Sequence, residues 1–317
     1  MPAKPLKISI ITPAPRGSRK GNRISAERYA RLLRQLGHRV KLLTAFDGKR
    51  ADVAIILHAR RCAADLRAIR AAHPQTRIVL CLTGTDVYAD IHSDKIAAES
   101  LRMADRLLLL QPLARKQLPR ELRARADVLF QSVEVPVRRA VSRADRVVVI
   151  GHVRDVKDPL RAAQAIALLP NTRLSVTLAG SILEPHWRAA IAAEQAANPR
   201  FQYVGELSRA RALALIARSR ALVVSSLLEG GANVISEACV LGTPVLASRV
   251  DGNVGMLGPK YPGYFETGDS KGLAKLLHRL EAEPKFERAL TRHCKGLASR
   301  FHPDKERAAL AKLLRKL

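Results

Sequence analysis

Two glutamates flank a glycine-rich segment in the second half of the chain. Glu229 stands directly before Gly230-Gly231-Ala232-Asn233-Val234, and Glu237 follows it. The apolar run 221–225 ahead of them predicts a buried strand, and the glycines free the backbone before a helix that we expect to begin near Ala232 or Asn233. The amides of a helix start suit a diphosphate or sugar hydroxyls, and carboxylates accept hydrogen bonds from hydroxylated rings. The pattern therefore indicates a binding site at this turn.

A second candidate site is a loop after the predicted strand 7–11. The loop carries two glycines and four cations just before a predicted helix. Loop amides, cationic side chains and a helix start together favour an anion. We expect this loop, together with the segment after strand 78–82, to bind an anion. The residues predicted to bind it are Gly17, Ser18, Arg19, Lys20, Asn22, Arg23, Thr85 and Asp86. His58, at the end of strand 53–57, is either a base or a core histidine, and we favour the core.

The elements that position these residues alternate in type. Short β-branched or leucine-rich runs are separated by longer segments of helical period, which is typical of parallel sheets with crossover helices. One series of strands is predicted at 7–11, 40–44, 53–57, 78–82, 107–110 and 128–130, with helices at 24–36, 62–72 and 94–104. A second series is predicted at 146–150, 174–179, 201–204, 221–225 and 244–247, followed by helices at 271–280, 284–298 and 303–317 with no further strand between them.

The chain length of 317 residues suits two domains. The stretch 133–145 contains Pro136, has no clear period and is the predicted linker. We therefore expect an α/β protein with an N-terminal domain at 1–140 and a C-terminal domain at 141–300. The helix at 301–317 would pack back on the first domain.

Composition limits the alternatives. The net charge of +27 favours a nucleic-acid binder at first sight, but the basic residues are spread along the chain and aromatic residues are only 4%. A solvated, arginine-rich surface explains the charge better, so no nucleic-acid partner is expected.

No apolar run approaches the roughly 18 residues of a membrane span, and no signal peptide is recognised, so we expect a cytoplasmic protein. Four scattered cysteines are expected to be reduced thiols that bind no metal.

The acidic pair belongs to a longer motif. Glu-x7-Glu is followed by Gly242-Thr243-Pro244-Val245 and by Asp251-Gly252-Asn253. This set resembles the donor-site signature of GT-B glycosyltransferases, in the large family that contains sucrose-phosphate and glycogen synthases, over most of residues 146–256. The resemblance implies two Rossmann-like domains facing across a cleft, an N-terminal acceptor domain at 1–140 and a C-terminal nucleotide-sugar domain at 141–300. The anion-binding residues of segment 17–23, with Thr85 and Asp86, would then be acceptor-binding residues. It also implies that Glu229 holds the sugar hydroxyls of a UDP-sugar and Glu237 its ribose, with Gly230, Gly231, Ala232, Asn233 and Val234 completing the site.

The same resemblance reaches residues 151–157. That family usually has an arginine after the glycine and a lysine at the position of Lys157, and both cations bind the diphosphate. Here His152 replaces the arginine, so we assign the arginine role to Arg154. The predicted catalytic residues are Arg154, Lys157 and Glu229, and His152 belongs to the UDP-sugar site. Because the chain has no Asp-x-Asp triplet, we expect fixed cations and amides to stabilise the leaving group without a metal or other cofactor.

A narrower resemblance spans nearly the whole chain. It is carried by Thr12-Pro13-Ala14-Pro15 with 17–23, by 57–61, 82–86, 151–159, 229–234 and 252–255, and by Tyr261-Pro262-Gly263-Tyr264-Phe265. These segments are similar to the selenosugar synthases of selenoneine biosynthesis. The resemblance implies transfer of the sugar of a UDP-sugar, typically UDP-N-acetylglucosamine, to selenophosphate. It also implies a functional link to a selenophosphate synthetase and to a carbon–selenium bond-forming enzyme.

Two alternatives stay open at this point. One is ordinary transfer to a hydroxyl of a glycan, lipid or small molecule, which would need a base such as Asp86 or His58. The other, supported only by charge, is a nucleic-acid-binding protein with a glycosyltransferase-like frame. Selenophosphate, a soft and already ionised nucleophile, needs a cationic cradle more than a base.

Overall fold

The computed structural model describes residues 4–135 and 143–317. The chain forms two compact units, one made of Met1–Ser132 and His302–Leu317 and the other of Val133–Phe301. We call them unit 1 and unit 2. The domain boundary expected at residue 140 and part of the expected linker, 136–142, lie outside the described residues.

Unit 1 contains a six-stranded parallel sheet of order β2-β1-β3-β4-β5-β6. Its strands are β1 (Lys7–Ile11), β2 (Arg39–Leu43), β3 (Val53–Leu57), β4 (Arg77–Leu82), β5 (Arg106–Leu109) and β6 (Ala126–Val128), and its helices are α1 (Gly21–Gln35), α2 (Ala63–Ala72), α3 (Ile91–Ser93) and α4 (Lys95–Met103). Every residue of β3 is buried. Helices cover both faces of a parallel sheet, so its central strand is apolar throughout.

Unit 2 repeats this architecture with a parallel sheet of order β12-β11-β10-β7-β8-β9. Its strands are β7 (Ala144–Ile150), β8 (Ser175–Ala179), β9 (Phe201–Tyr203), β10 (Ser219–Val224), β11 (Val245–Ser248) and β12 (Tyr264–Phe265). Its helices are α5 (Arg161–Ala167), α6 (Trp187–Ala197), α7 (Arg209–Arg218), α8 (Asn233–Leu241), α9 (Asp251–Leu257), α10 (Ser270–Ala282) and α11 (Pro284–Leu297).

The last helix, α12 (Pro303–Leu314), belongs to unit 1. Leu310 and Leu313 join the hydrophobic cluster of β1, β3 and α1. Glu306 is 1% exposed, and its carboxylate accepts hydrogen bonds from Arg28 Nε at 3.1 Å and from the backbone NH of Ser132 at 2.8 Å. A buried carboxylate is tolerated only with such partners, so these bonds help to fix α12 on unit 1.

The predicted α/β fold class is confirmed, since both sheets are parallel with crossover helices. The expectation that no strand separates residues 244–247 from the C-terminal helices is wrong. Strand β12 pairs with β11 through Ala247–Tyr264 and Ser248–Phe265. Two residues are too short to give a periodic pattern, and Gly263 directly before them reads as a turn. No helix within the described ranges is long and apolar enough to cross a bilayer.

Candidate functional site

The glycine-rich turn follows β10 and ends at α8. The helix begins at Asn233, as predicted, with Ala232 in the N-cap position. Ala232 makes no side-chain cap hydrogen bond, and the first turn of α8 carries no acidic residue. A helix start of this kind retains the positive end of the helix dipole and favours an anion above the carboxyl edge of the sheet.

Lys157 and Glu229 meet at this edge. β7 and β10 are neighbours in the sheet, so the loops that follow them lie side by side. The Nζ of Lys157 bonds to Oε1 of Glu229, and Ser226 Oγ donates to the same oxygen at 2.7 Å. Glu229 is 8% exposed. The carboxylate is therefore held in one orientation by a cation from one loop and a hydroxyl from the other.

The two loops are also joined through the backbone. Ser225 Oγ lies 3.1 Å from the carbonyl oxygen of Lys157 and 2.8 Å from that of Asp158, which it can reach as donor. The NH of Leu227 donates to the carbonyl of Val156 at 2.9 Å. These bonds fix the position of Lys157 relative to the glycine-rich turn, which matters because a charge acts on a ligand only at close range.

A cavity in unit 2 brings several predicted donor-site residues together. His152, Lys157, Glu229 and Val234 all line it. The other lining residues are Val149, Ile150, Gly151, Pro159, Leu178, Val223, Val224, Ser225 and Ser226. One wall is thus the apolar ends of β7, β8 and β10, and the polar groups come from the loops.

The remaining predicted donor residues lie outside this lining, namely Arg154, Gly230, Gly231, Ala232, Asn233 and Glu237. Arg154 is half-buried, and its buried Nε has no hydrogen-bond partner among the residues that the structure describes. Glu237 lies on α8, is 9% exposed, and its Oε1 lies 3.7 Å from Nη1 of Arg209. Glu237 lies one full turn into α8, and its carboxylate is directed towards Arg209 of α7.

Residues that the sequence analysis gave no role support the Glu229 loop from behind. A Cβ on Gly252, in α9, would lie 1.9 Å from the carbonyl oxygen of Glu229. Ser248 Oγ donates to the carbonyl of Ser226 at 2.6 Å, and Asn253 Nδ2 donates to Ser248. In the sequence, Asp251-Gly252-Asn253 was recognised only as a motif that follows the predicted strand 244–247, and helix α9 was not predicted. The motif does not reveal which loop these residues touch.

The predicted acceptor loop in unit 1 is largely exposed. Gly17 has φ +80°, a conformation that favours glycine, and Ser18 Oγ accepts a hydrogen bond from the NH of Lys20 at 3.2 Å. Arg19 and Lys20 are exposed just before α1, and Asn22 is half-buried. Arg23 is different, because it is buried and its Nε donates to Glu27 at 2.7 Å. Its charge is therefore already partnered within α1.

Asp86 is fully buried and bonded to backbone amides. Its Oδ1 accepts from the NH groups of Thr83 at 2.9 Å, Gly84 at 2.8 Å and Val87 at 3.1 Å, and its Oδ2 accepts from that of Ala59 at 3.2 Å. Each carboxylate oxygen is thus occupied, which gives Asp86 a structural task in joining two loops. The neighbouring Thr85 is half-buried at the start of the π-helical turn.

His58 is 3% exposed and has φ +93°, unusual for a residue other than glycine. Its Nδ1 lies 3.9 Å from Asp86 Oδ2 and its Nε2 lies 3.8 Å from Asp90 Oδ2. Burial lowers the pKa of His58, and this outweighs the two carboxylates, which raise it. His58 is therefore a neutral core histidine at pH 7, the option that the sequence favoured.

The four cysteines are buried and free, as expected. Among the described residues, one group has donors close enough for a metal ion: Asp155, Glu184 and His186, whose ligand atoms lie within 4.8 Å of one another. His186 Nε2 lies 2.8 Å from Asp155 Oδ1, and the NH of Asp155 donates to Glu184 at 2.6 Å. The polar atoms of this surface group therefore bond to one another.

Two parallel-sheet Rossmann-like units define the GT-B class of fold. The family model described as "Glycosyl transferases group 1" matches residues 136–295, which include the cavity, the glycine-rich turn and both glutamates. The chain belongs to this family.

Similar proteins agree with this assignment. "Glycosyltransferase 1 domain-containing protein 1" of Xenopus tropicalis is 30% identical over 157 residues, which are 49% of this chain and 45% of that protein. The chain thus matches less than half the length of this curated relative. The structure of HepE from Anabaena in complex with UDP-glucose aligns with a TM-score of 0.76 at 15% identity, covering 98% of this chain and 100% of that one. Sucrose-phosphate synthase from Thermosynechococcus elongatus aligns with a TM-score of 0.76 at 15% identity and covers 98% of both chains. At these identities the two structures bear on the fold alone.

Proposed function

We propose that this protein is a UDP-sugar-dependent glycosyltransferase whose acceptor is selenophosphate, so that it forms a 1-selenosugar and releases UDP. The observation that carries the donor half is the Lys157–Glu229 pair beside the start of α8. A cation and a helix start at one edge of the sheet suit the diphosphate of a nucleotide sugar, which belongs to its leaving group, and a carboxylate beside them suits the sugar hydroxyls.

Glu229 accepts hydrogen bonds from the sugar hydroxyls, and Glu237 holds the ribose. Lys157 and Arg154 neutralise the diphosphate together with the amides at the start of α8. As the selenium of selenophosphate attacks the anomeric carbon, the bond from that carbon to the β-phosphate oxygen breaks and its electron pair leaves with UDP. The product of this step still carries the phosphoryl group on selenium. Attack of water on that phosphorus then breaks the P–Se bond, so that phosphate leaves and the 1-selenosugar remains. Fixed positive groups that face this oxygen stabilise the transition state more than the bound substrate, which is what raises turnover.

The acceptor half rests on charge and on the state of two candidate bases. The loop ahead of α1 presents Arg19 and Lys20 in exposed positions, suited to a small anion. Asp86 is occupied by backbone amides, and His58 is buried. A hydroxyl acceptor needs a base, whereas selenophosphate is already ionised. This supports the anionic acceptor suggested by the narrower sequence resemblance, and UDP-N-acetylglucosamine as donor follows from the same resemblance.

Three further expectations belong to this proposal. The reaction needs no metal, since Lys157, Arg154 and the helix start can neutralise the leaving group. The protein acts in the cytoplasm. A selenophosphate synthetase supplies its acceptor, and a carbon–selenium bond-forming enzyme uses its product.

The test is a turnover assay with purified protein, UDP-N-acetylglucosamine and selenophosphate. We expect stoichiometric UDP and a selenium-containing sugar detected by mass spectrometry. Turnover should be unchanged by EDTA and much lower, but still measurable, in Glu229→Ala. Phosphate replaces selenophosphate as the acceptor control. UDP release that requires a hydroxyl acceptor would overturn the acceptor assignment, and no UDP release with any nucleotide sugar would overturn the donor assignment.

A further inference from the structure

Behind the Glu229 loop, hydrogen bonds lead from Asn253 of α9 through Ser248 to the carbonyl of Ser226, and the hydroxyl of Ser226 bonds to the Glu229 carboxylate. We call this set of bonds the relay. Asn253 Nδ2 donates to the carbonyl oxygen of Ser248 at 2.9 Å and to its Oγ at 3.1 Å. Ser248 Oγ donates to the carbonyl of Ser226 at 2.6 Å, and Ser226 Oγ donates to Glu229 Oε1 at 2.7 Å. All four residues are buried.

The direction of each bond in this relay is fixed by chemistry. A carbonyl oxygen only accepts hydrogen bonds. The hydroxyl of Ser248 must therefore donate to the carbonyl oxygen of Ser226 and accept from Nδ2 of Asn253. The carbonyl of Ser248 likewise requires the amide nitrogen of Asn253, and not its oxygen, on that side. A buried polar chain with a single permitted polarity holds its members in one arrangement, because leaving one group without a partner costs free energy.

Gly252 adds a second constraint at the same place. A Cβ there would lie 1.9 Å from the carbonyl oxygen of Glu229 and 2.6 Å from its Cβ, so α9 packs directly on the backbone of that residue. Gly252 thus contacts Glu229 by van der Waals packing, and the next residue of α9, Asn253, hydrogen-bonds to Ser248, whose hydroxyl donates to the carbonyl of Ser226. A carboxylate that recognises sugar hydroxyls must be placed within a fraction of an ångström, and such placement needs support from behind.

We propose that Asn253 and Ser248 are positioning residues for Glu229, setting how well the site recognises the sugar while leaving the nucleotide half of the site unchanged. This rests on the proposed function, since it takes Glu229 as the group that holds the donor sugar. The relay ends on Ser226 and on Glu229 Oε1, the oxygen that also bonds to Lys157 Nζ; among the bonds described, none joins it to Glu237. The backbone of Lys157 is held separately, by Ser225 Oγ and by the bond from Leu227 to Val156. We therefore expect the relay to affect chiefly recognition of the sugar.

The test uses Ser248→Ala, which removes only the central hydroxyl, and Asn253→Asp, which places an oxygen against the carbonyl of Ser248. Ser219→Ala is the matched control, because its buried Oγ also donates to a carbonyl, that of Leu215 at 2.7 Å, at the opposite end of β10. For each variant, kcat and KM for the UDP-sugar, Kd for UDP and the melting temperature are measured.

We expect both relay variants to lower kcat/KM for the UDP-sugar by roughly tenfold or more, the scale of a small misplacement, with Kd for UDP within about twofold of wild type. Ser219→Ala should change neither value. Combined with Glu229→Ala, Ser248→Ala should add no further loss, because its effect acts through that carboxylate.

Equal losses for UDP and the UDP-sugar, or losses that multiply in the double variant, would overturn the inference and leave the proposed function in place. Wild-type protein that turns over no UDP-sugar would overturn the proposed function and the inference with it. If Asn253→Asp does not fold, Ser248→Ala alone decides between these outcomes.

Discussion

Lys157 Nζ and Glu229 Oε1 join two loops that follow neighbouring parallel strands of unit 2. The two residues are 72 positions apart in the sequence, so the fold brings them together. A donor that binds here has to share or replace this ion pair: its diphosphate competes with Glu229 for the lysine, and its hydroxyls compete with Lys157 for the carboxylate. Under the proposed function, the pair therefore suits a molecule that carries both a diphosphate and hydroxyl groups.

Replacing Lys157 with Ala should chiefly lower kcat, by about 10²-fold, because the cation stabilises charge that develops on the leaving group. Kd for UDP should weaken less. Steady-state kinetics and calorimetric titration with UDP separate the two effects. Lys260→Ala, which removes an exposed lysine of the same unit, is the control and should leave both unchanged. A Lys157 variant that loses UDP affinity but keeps kcat would contradict the assigned role.

Glu237→Ala should weaken UDP binding by about tenfold, the value of one hydrogen bond from a ribose hydroxyl to a charged group. Its kcat at saturating donor should stay close to wild type. Titration with UDP and with uracil distinguishes ribose recognition from a general loss of the site. Glu266→Ala, an exposed glutamate ahead of α10, serves as control. Unchanged UDP affinity in Glu237→Ala would place the ribose elsewhere.

Gly252→Ala should destabilise unit 2 by about 3 kcal/mol, the upper range for an overpacked site, because the new methyl group would meet the carbonyl oxygen of Glu229. Gly296→Ala is the matched change, since Gly296 lies in α11 with no atom near its missing Cβ. That variant should gain up to about 1 kcal/mol from helix propensity. Fluorescence of Trp187, the sole tryptophan and part of unit 2, follows unfolding. Equal stability of the two variants would show that α9 does not press on the loop.

His58 should make unit 1 less stable in mild acid. Its folded pKa lies below the ordinary value of about 6.5, so below pH 6.5 the unfolded chain binds more protons than the folded one. Stability is then complete above that pH and falls as the pH drops towards the folded pKa, by about 1.4 kcal/mol for each unit of depression.

The test is the pH dependence of melting between pH 5.5 and 7.5. His58→Asn, which tolerates the positive φ, should flatten it. His278→Asn, on an exposed face of α10, should not. If the melting temperatures of the two variants depend on pH in the same way, His58 is not the source of the pH dependence.

Glu306→Ala should cost unit 1 about 3 kcal/mol, since it leaves Arg28 buried without its carboxylate. Glu283→Ala breaks the exposed pair with Arg279 and should change stability far less, because solvent screens that pair. Amide hydrogen exchange of peptides from α1 and α12 reports the loss, while Trp187 fluorescence in unit 2 should not change. Protection of α12 that survives Glu306→Ala would show that its leucines alone hold it.

The sequence predicted the parts of the fold that local pattern determines. Strand β3 is five apolar residues between polar turns, and α8 starts where Gly230 and Gly231 end, so their bounds follow from neighbouring residues. β12 has only two residues and is defined by its pairing with β11, which no local pattern encodes.

The candidate site was likewise predictable only where neighbouring residues in the sequence determine it. Lys157 and Glu229 were proposed separately, and the structure places them in contact. Ser248 and Asn253 were not proposed as supports, because a relay through a wholly buried serine is a tertiary arrangement. Arg23 looked like part of a cationic loop, but its position four residues before Glu27 gave it a partner within α1, a spacing that could have been noticed.

The most direct test of the account is a crystal structure of the protein soaked with UDP. The account predicts that the diphosphate lies at the start of α8 within reach of Lys157, with the ribose at Glu237. UDP bound elsewhere, with the turn at residues 229–234 empty, would contradict it.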